Sequence, residues 1–362
     1  MSFVESRPRS ATAPRPVTRR VESVALVAPP WVPVPPPAYG GIENIVALQA
    51  RVLAEHGYDV TLIAAPGSEV EGVRLVTPLA DIPDAIGNAD AEWEHAMAAY
   101  ELTEGSDVIV DHAGPLSALV HGEGATTVLH VTHGELHELA RTAYKLVGRR
   151  SRSVRYVAIS RSQHDTAPEL PFAGVCHNAI DAGPIPVGDG SGGYLAFLGR
   201  MAPEKGAVEA IEIARRAGMH LRIAAKCREP DEERYFEEHV EPRLGDDVSW
   251  LGEVETDAKY ELLGGAAALL FPISWPEPFG MVMVESMACG TPVLATPCGA
   301  VPEVVRDGVT GVIGDHDDLV AGIRAIRRYS RDACREHVET SFGPDRYLAS
   351  WDAVLARVEP PA

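Results

Sequence analysis

The sequence predicts an α/β protein made of two doubly wound domains in tandem. Short runs rich in β-branched residues alternate with longer helical segments, and the strands lack the polar alternation of a half-exposed sheet. Continuous apolar strands of this kind are typical of parallel sheets covered by helices on both faces. Because a chain of 362 residues exceeds the size of most single cores, we expect each half to form its own domain.

The first half begins with the pattern strand, helix, strand. These three elements are predicted in ESVALVAPP (22–30), NIVALQARVLAEHG (44–57) and YDVTLIAAP (58–66). Gly57 lies where a helix commonly ends on a glycine. Three more apolar runs extend the predicted sheet: SDVIVDH (106–112), TTVLHVTH (126–133) and RYVAIS (155–160).

The second half begins after a change of composition to glycine in IPVGDGSGG (185–193), the best candidate for a linker. Strands are predicted beyond it in YLAFLGR, LRIAA, VSWLG, AALLFPIS and PVLAT, and helices in AVEAIEIARRAG, DAKYELLGGA, MVMVESMACG and from residue ~317 onwards. We expect domains at 21–187 and 188–340, with a final helical segment at 341–362. Ligands of such sheets bind beyond the carboxyl ends of the strands, so an interdomain cleft is the expected site.

Composition and charge exclude several classes of partner. With 46% hydrophobic and 23% charged residues the chain is an ordinary globular protein, and 32 basic against 52 acidic residues give a net charge of −20. Such a field repels polyanions, so we expect no nucleic-acid partner and no stable membrane association. Five scattered cysteines without a C-x-x-C pair, and the lack of a signal peptide or a long apolar run, favour a cytoplasmic location. Residues 1–20, with five arginines and one glutamate, are predicted to be a disordered basic tail.

The first candidate motif is the glycine pair Gly40-Gly41 between the first strand and the first helix. Two glycines allow backbone N–H groups to approach an anion at a helix N-terminus. The alternative is a loop that needs a positive φ. The motif is not G-x-G-x-x-G, so a dinucleotide site is not indicated.

The second candidate motif is GRMAPEKGAVEAI, which follows the strand YLAFL. Arg200 and Lys205 flank a proline-containing turn at the carboxyl end of this strand. Together they are able to clamp a diphosphate, the arginine by a bidentate fork and the lysine as a point charge. The alternative is a pair of surface cations.

Histidines form the third candidate group. The segment VLHVTHGELHELA contains His130, His133 and His137, which is compatible with a metal site, with structural histidines, or with a polar group that faces a substrate, chiefly His133. Asp111 and His112 lie at the carboxyl end of another predicted strand, as His133 does. The alternative role for Asp111 is the N-cap of a following helix.

The fourth candidate is a pair of carboxylates in SWPEPFGMVMVESMACGTPV (274–293). Glu277 lies in the loop after a strand and Glu285 in the first turns of the next helix, so both are able to point into the cleft. Three interpretations are open. The two carboxylates are an acid/base pair, or each accepts hydrogen bonds from ligand hydroxyl groups. In the third interpretation Glu277 is an ordinary loop residue and Glu285 is a solvated charge that the helix dipole favours.

The order of these motifs resembles family four of the retaining glycosyltransferases. The resemblance runs from about residue 24 to 350, and it rests mostly on G-R-x-x-x-x-K-G and E-P-F-G-x-x-x-x-E. PPPAYGGIE, AAPGS, DHAG and GRMAPEKGA look most like natural-product glycosyltransferases of the avilamycin-pathway type. The resemblance implies the GT-B fold of two Rossmann-like domains, an acceptor-side domain first and a nucleotide-sugar-binding domain second, with the final helix packed back on the first domain.

The same resemblance implies roles for individual residues. Catalysis and donor binding would involve His133, Arg200, Lys205 and Glu277. Further donor contacts would come from Gly40, Gly41, Phe279, Gly280 and Met281, with Glu285 on the ribose hydroxyls. The chain departs from the family pattern in IAAKCREPDEE, where Lys226 either adds a donor-site cation or precedes an acidic run that reshapes the pocket. Asp111 and His112 are additional candidates.

The resulting functional prediction is a metal-independent retaining hexosyltransferase without a cofactor. It would move a hexose-type sugar from a nucleoside diphosphate donor, UDP by family frequency, to a small hydroxylated acceptor by front-face attack. A nucleotide-sugar epimerase of the same fold and a non-catalytic nucleotide-sugar-binding protein remain alternatives, and a dehydrogenase is disfavoured because G-x-G-x-x-G is missing. The oligomeric state is open, a homodimer being one alternative.

Overall fold

The computed structural model describes residues 20–37, 40–83, 87–103, 105–114 and 126–359. The predicted N-terminal tail therefore lies outside the described residues except for Arg20, and so does the segment 115–125. A helix capped by Asp111 would begin at residue 112, and residues 112–114 are not helical. In the described part of the chain, the regular elements form two α/β domains.

The first domain comprises the elements from residue 23 to residue 175. In chain order they are β1 (Ser23–Val27), α1 (Gly41–Glu55), β2 (Asp59–Ile63), β3 (Arg74–Val76), α2 (Ala89–Leu102), β4 (Val108–Asp111), β5 (Thr127–Thr132), α3 (Glu138–Arg150), β6 (Val154–Ala158), α4 (Arg161–Thr166) and β7 (Phe172–Val175). The described strands pair in parallel in the order β3-β2-β1-β4-β5-β6-β7. The strand order reverses between β1 and β4, and this reversal opens a crevice at the carboxyl ends of both strands.

The second domain repeats this architecture. Its elements are β8 (Tyr194–Arg200), α5 (Ala207–Ala217), β9 (His220–Lys226), α6 (Pro230–Tyr235), β10 (Val248–Trp250), α7 (Thr256–Gly265), β11 (Ala268–Phe271), α8 (Met281–Ala288), β12 (Val293–Ala295), α9 (Val301–Val304), β13 (Gly311–Ile313), α10 (His316–Arg324) and α11 (Arg331–Ser341). A short 3₁₀ turn, Pro203–Lys205, follows β8. The parallel order is β10-β9-β8-β11-β12-β13, with its reversal between β8 and β11.

The predicted fold class is confirmed, because the strands are apolar and buried on both faces as their sequences indicate. Leu26, Val110 and Leu129 of the first sheet are fully buried, as are Leu195 and Leu270 of the second. The strands β3, β7 and β13 were not predicted. Each has only three or four residues, and short edge strands carry too little periodicity to be recognised.

The glycine-rich segment 185–193 connects the two sheets but is held by close packing. Gly188, Gly190 and Gly192 donate backbone hydrogen bonds to Cys289, Gly264 and Gly265 at 3.0, 3.1 and 3.0 Å. A Cβ atom at Gly188 would overlap the backbone of Gly264. The glycines therefore allow the predicted linker to lie against α7.

Two contacts join the halves of the molecule away from the connecting segment. The last helix, α12 (Pro344–Leu355), lies against the first domain, where Tyr58 Oη donates to Asp352 Oδ1 at 2.9 Å and Trp351 is 1% exposed. In the second contact, Glu303 of α9 accepts hydrogen bonds from the backbone N–H groups of Arg161 and Ser162 at 2.8 and 2.7 Å. Glu303 thus caps α4 of the opposite domain. Among the described helices, none is both long and apolar enough to cross a bilayer.

Candidate functional site

A cleft of about 420 Å³ lies between the two sheets, at the carboxyl ends of their strands. The first domain contributes the loop before α1 and the residues after β5, and the second contributes the ends of β8 and β9 and the loop from β11 into α8. Eleven sequence-predicted site residues line it: Gly40, Gly41, His133, Arg200, Lys205, Lys226, Glu277, Phe279, Gly280, Met281 and Glu285. Residues that are up to 245 positions apart, from Gly40 to Glu285, are thus brought together.

Lys205 and Glu277 form a nearly buried ion pair in this cleft. Their side chains are 13% and 11% exposed, and Lys205 Nζ lies 2.7 Å from Glu277 Oε2. Trp275 supports both partners, because its Nε1–H donates to the same Oε2 at 3.1 Å and its ring centroid lies 4.1 Å from Nζ. Burial lowers the pKa of Lys205, and the Glu277 carboxylate opposes this shift.

Arg200 and Lys226 lie at the ends of neighbouring strands and share an acidic partner. Arg200 contacts Glu204 at 3.2 Å and Glu232 at 3.7 Å, while Lys226 contacts Glu229 at 3.1 Å and Glu232 at 3.7 Å. Lys226 and the acidic run that follows it are thus in direct contact. Lys226 lines the cleft as a cation, and the acidic run after it supplies the partner carboxylates.

The loop after β11 ends in Gly280, which is the N-cap of α8 and has a φ of 83°. Helix α8 therefore begins beside the cleft, with Phe279, Gly280 and Met281 in its lining, and the first N–H groups of a helix are available to an anion. Glu285 lies one turn further on, where Lys259 Nζ of α7 is 2.6 Å from Glu285 Oε1. Lys259 was not among the predicted site residues, because its only signal was its position in the predicted helix DAKYELLGGA.

Gly40 and Gly41 lack the positive φ that one of their two interpretations required. Gly40 is the N-cap of α1 with a φ of 174°, which is ordinary extended backbone, and among the described residues no positive φ falls on Gly41. The alternative of a loop that needs a positive φ is therefore wrong. A Cβ atom at Gly40 would lie 2.6 Å from Pro36 Cβ, so close packing with Pro36 explains this glycine.

The three histidines of VLHVTHGELHELA do not converge on one point. His133 faces the cleft, His130 is fully buried with Nδ1 at 3.1 Å from Asp111 Oδ2, and His137 is an exposed N-cap of α3. Across the described ranges, no group of three or more His, Cys, Asp or Glu residues has an arrangement that would hold a metal ion.

Asp111 and His112 do not reach the cleft surface. They are 0% and 2% exposed and lie behind His133, with His112 Nδ1 at 2.8 Å from His133 Nε2. Asp111 Oδ1 accepts from the N–H of Ala113 at 2.8 Å, and its Oδ2 accepts from Tyr100 Oη at 3.0 Å. The sequence analysis also missed Gln49, whose Oε1 lies 2.7 Å from His112 Nε2.

The cleft differs in charge from the rest of the molecule. Among the described residues that line it, Arg200, Lys205, Lys226 and Lys259 are basic and Glu253, Glu277 and Glu285 are acidic. The chain as a whole carries −20. Basic groups outnumber acidic ones in the lining by one, while Glu204, Glu229 and Glu232 pair with Arg200 and Lys226 beside it. The lining is thus less negative than the chain as a whole.

Comparisons with known proteins find similarity to glycosyltransferases. The family model described as "Glycosyl transferases group 1" matches residues 189–339. A glycogen synthase of Mycobacterium tuberculosis is 26% identical over 88% of this chain and 89% of its own length. An alpha-maltose-1-phosphate synthase of Mycolicibacterium smegmatis is 33% identical, over 34% of this chain and about a third (33%) of that relative's length.

Solved structures extend the similarity to the whole described fold. AviGT4, a glycosyltransferase involved in avilamycin A biosynthesis, superposes with a TM-score of 0.68 at 25% identity, over 92% of this chain and 98% of its own. Anabaena HepE, solved in complex with UDP-glucose, has a TM-score of 0.68 at 15% identity, over 92% of this chain and 99% of its own. The chain therefore has the two-domain GT-B fold of these glycosyltransferase structures, and its residues 189–339 are similar to the group 1 glycosyl transferases.

Proposed function

We propose that the protein is a retaining glycosyltransferase, which moves a hexose-type sugar from a nucleoside diphosphate sugar to a small hydroxylated acceptor. The observation that carries the proposal is the juxtaposition of two cations, Arg200 and Lys205, with two carboxylates, Glu277 and Glu285, in one interdomain cleft. The diphosphate of such a donor needs cations. The hydroxyl groups of the sugar and of the ribose, on either side of the diphosphate, need hydrogen-bond acceptors.

The diphosphate would bind between Arg200, Lys205 and the N-terminus of α8. Negative charge grows on the leaving phosphate as the glycosidic bond breaks, so preorganised positive groups stabilise the transition state more than the ground state. Lys205 uses one N–H on Glu277 and lies over the Trp275 ring, which leaves donor capacity for a phosphate oxygen. These two basic side chains supply the charge neutralisation, and the proposed reaction is metal-independent.

The two carboxylates would mark the ends of the donor. Glu277 Oε2 is occupied by Lys205 and Trp275, so Oε1 is the oxygen available to a hydroxyl of the transferred sugar. Glu285, held by Lys259 at 2.6 Å, would accept from the ribose hydroxyls. Uridine is the proposed nucleoside, and the similar fold of HepE, solved with UDP-glucose, supports this choice.

Retention would follow from front-face attack. A double displacement requires a carboxylate that is free to attack the anomeric carbon, whereas Glu277 is ion-paired and hydrogen-bonded at Oε2. In the proposed step the acceptor oxygen bonds to the anomeric carbon, the bond to the phosphate oxygen breaks, and the departing phosphate takes the acceptor proton. His133 of the first domain faces the same space and would contact the reacting sugar.

A turnover assay with UDP-hexoses, with and without a panel of monosaccharides and polyols as acceptors, tests the proposal. We expect UDP release that depends on the acceptor and a product with the donor's anomeric configuration, measured by NMR. Lys205→Ala should lower kcat/KM by on the order of 10²-fold. Arg216→Ala, which removes a cation of α5 that pairs with Asp317 outside the cleft, should leave kcat/KM unchanged.

Other outcomes of the same assay would assign the protein to a different class. Turnover without an acceptor, with an altered sugar, would indicate an epimerase. Donor binding without turnover across the acceptor panel would favour a binding protein. A product of inverted configuration would exclude retention.

A further inference from the structure

A line of three polar side chains runs from helix α1 through the interior of the first domain to the cleft. Gln49 Oε1 lies 2.7 Å from His112 Nε2, and His112 Nδ1 lies 2.8 Å from His133 Nε2. Gln49 and His112 are 0% and 2% exposed, and only His133 lines the cleft. The two imidazole rings stack with centroids 5.0 Å apart.

The donors and acceptors of this line depend on one another. A neutral imidazole carries one N–H donor and one acceptor nitrogen. Because Gln49 Oε1 accepts a hydrogen bond, His112 carries its proton on Nε2, and its Nδ1 is an acceptor. His133 must then donate from Nε2, which leaves the Nδ1 of this cleft-lining residue without a proton, as an acceptor.

The surroundings keep both rings neutral. Burial, followed by the proximity of His133 and His130, holds the pKa of His112 well below its usual range. Burial and His130 lower the pKa of His133 to about 3, against an opposing effect of the Asp111 carboxylate. The nearest imidazole to this carboxylate is that of His130, whose Nδ1 lies 3.1 Å from Asp111 Oδ2.

The opposite orientation of the Gln49 amide would reverse every donor in the line. An amide N–H directed at His112 Nε2 would move the His112 proton to Nδ1 and make His133 Nδ1 a donor. An acceptor at this point suits a sugar hydroxyl, whereas a donor would suit a phosphate oxygen. The polarity set at Gln49 thus determines which chemical group His133 is able to meet.

We infer that Gln49 and His112 are positioning residues, which fix His133 as a hydrogen-bond acceptor for a hydroxyl of the transferred sugar. This inference rests on the proposed function and deepens it. It assigns a role to Gln49, which does not touch the cleft, and it separates His133 from the groups that bind the diphosphate.

Two variants of Gln49 separate the effect of its hydrogen-bond acceptor from the effect of its side-chain size. Gln49→Glu keeps an acceptor of the same size, and Gln49→Met removes it. At about pH 8, where histidines are neutral, we expect Gln49→Met to bind a UDP-hexose about tenfold more weakly than wild type, the effect of one lost hydrogen bond. Gln49→Glu should bind it within about threefold of wild type, and both variants should bind UDP alone as wild type does. Calorimetric titration measures all of these affinities.

Two results would overturn the inference. If Gln49→Met binds a UDP-hexose as tightly as wild type does, an acceptor at residue 49 does not determine the state of His133. If both variants lose UDP and UDP-hexose binding equally, Gln49 supports only the packing of the domain.

Nitrogen NMR tests the same inference without any ligand. In protein with ¹⁵N-labelled histidine, the His133 signals, assigned by their absence from His133→Asn, should show the proton on Nε2. A proton on Nδ1 would contradict the inference even if nucleotide sugars bind. Conversely, a proton on Nε2 in a protein that binds no nucleotide sugar would refute the proposed function and leave the histidine line intact.

Discussion

Lys205 illustrates how a single side chain links the sugar and phosphate parts of the proposed donor site. Its ammonium group lies 2.7 Å from Glu277 Oε2 and 4.1 Å from the centroid of Trp275. Removing a charge from water is costly unless it is paired, and here the carboxylate and the indole ring both compensate for the loss of hydration. The site is therefore preorganised, because the cation already has its orientation before a ligand arrives.

At the same scale, the buried histidines make stability depend on pH. The pKa of His112 is lowered well below 6.5, so the folded protein leaves this ring neutral at a pH where the unfolded chain protonates it. Proton uptake by the unfolded state means that the free energy of unfolding falls as the pH drops below about 6.5. His112 alone accounts for a slope of up to about 1.4 kcal/mol per pH unit.

His112→Asn should remove this contribution. We expect the variant to be less stable than wild type near neutral pH, but to lose less of its free energy of unfolding between about pH 6.5 and pH 4.5. Urea denaturation at several pH values measures the difference, and the carboxylates common to both proteins cancel in it. Equal pH slopes for the two proteins would show that His112 is not held neutral by the fold.

At the scale of elements, two neighbouring loops of the second domain determine the position of Glu277. The loop after β12 packs on the loop after β11, where the N–H of Ala300 donates to the carbonyl of Glu277 at 2.9 Å. Gly299 has a φ of 57°, and a Cβ atom there would overlap the backbone of Glu277. The donor-site carboxylate is thus held by backbone contacts from the next βα unit.

Gly299→Ala should therefore weaken binding as well as stability. We expect the affinity for a UDP-hexose to fall by on the order of tenfold or more, because Glu277 is displaced. Gly308→Ala is the matched control, since Gly308 has a φ of 72° with nothing within 4 Å of the added Cβ. The control should lose about 1 kcal/mol of stability from the left-handed backbone alone and keep its affinity. Equal affinities in the two variants would contradict this account of Glu277.

Whole domains were the most predictable feature of the molecule. Apolar strands alternating with helices predicted two parallel sheets, and the rule that ligands bind at the carboxyl ends of strands predicted which segments meet. Eleven of the predicted residues accordingly line one cleft. The hydrogen-bond and ion-pair partners of individual side chains were not predictable. Lys259 contacts Glu285, and Gln49 contacts His112, only after separate elements have packed together.

The alternative interpretation of Gly40 failed for the same physical reason. A positive φ was considered there, but the φ is 174° and the nearby Pro36 excludes a side chain. Close approach depends on tertiary packing, and a glycine in the sequence does not distinguish it from a turn. The same limit applies to β3, whose three residues pair only because β2 is already in place.

The central claim is that the interdomain cleft binds a nucleoside diphosphate sugar through its cations. A thermal-shift panel of UDP, GDP, ADP and TDP sugars, applied to wild type, Lys205→Ala and Arg216→Ala, tests it most directly, because a ligand of the folded state stabilises it by RT ln(1 + [L]/Kd). We predict that a UDP sugar, at about 100 times its Kd, stabilises wild type and Arg216→Ala by about 2.7 kcal/mol and Lys205→Ala by much less. If none of these sugar nucleotides stabilises wild type, or if Lys205→Ala responds as wild type does, the claim is wrong.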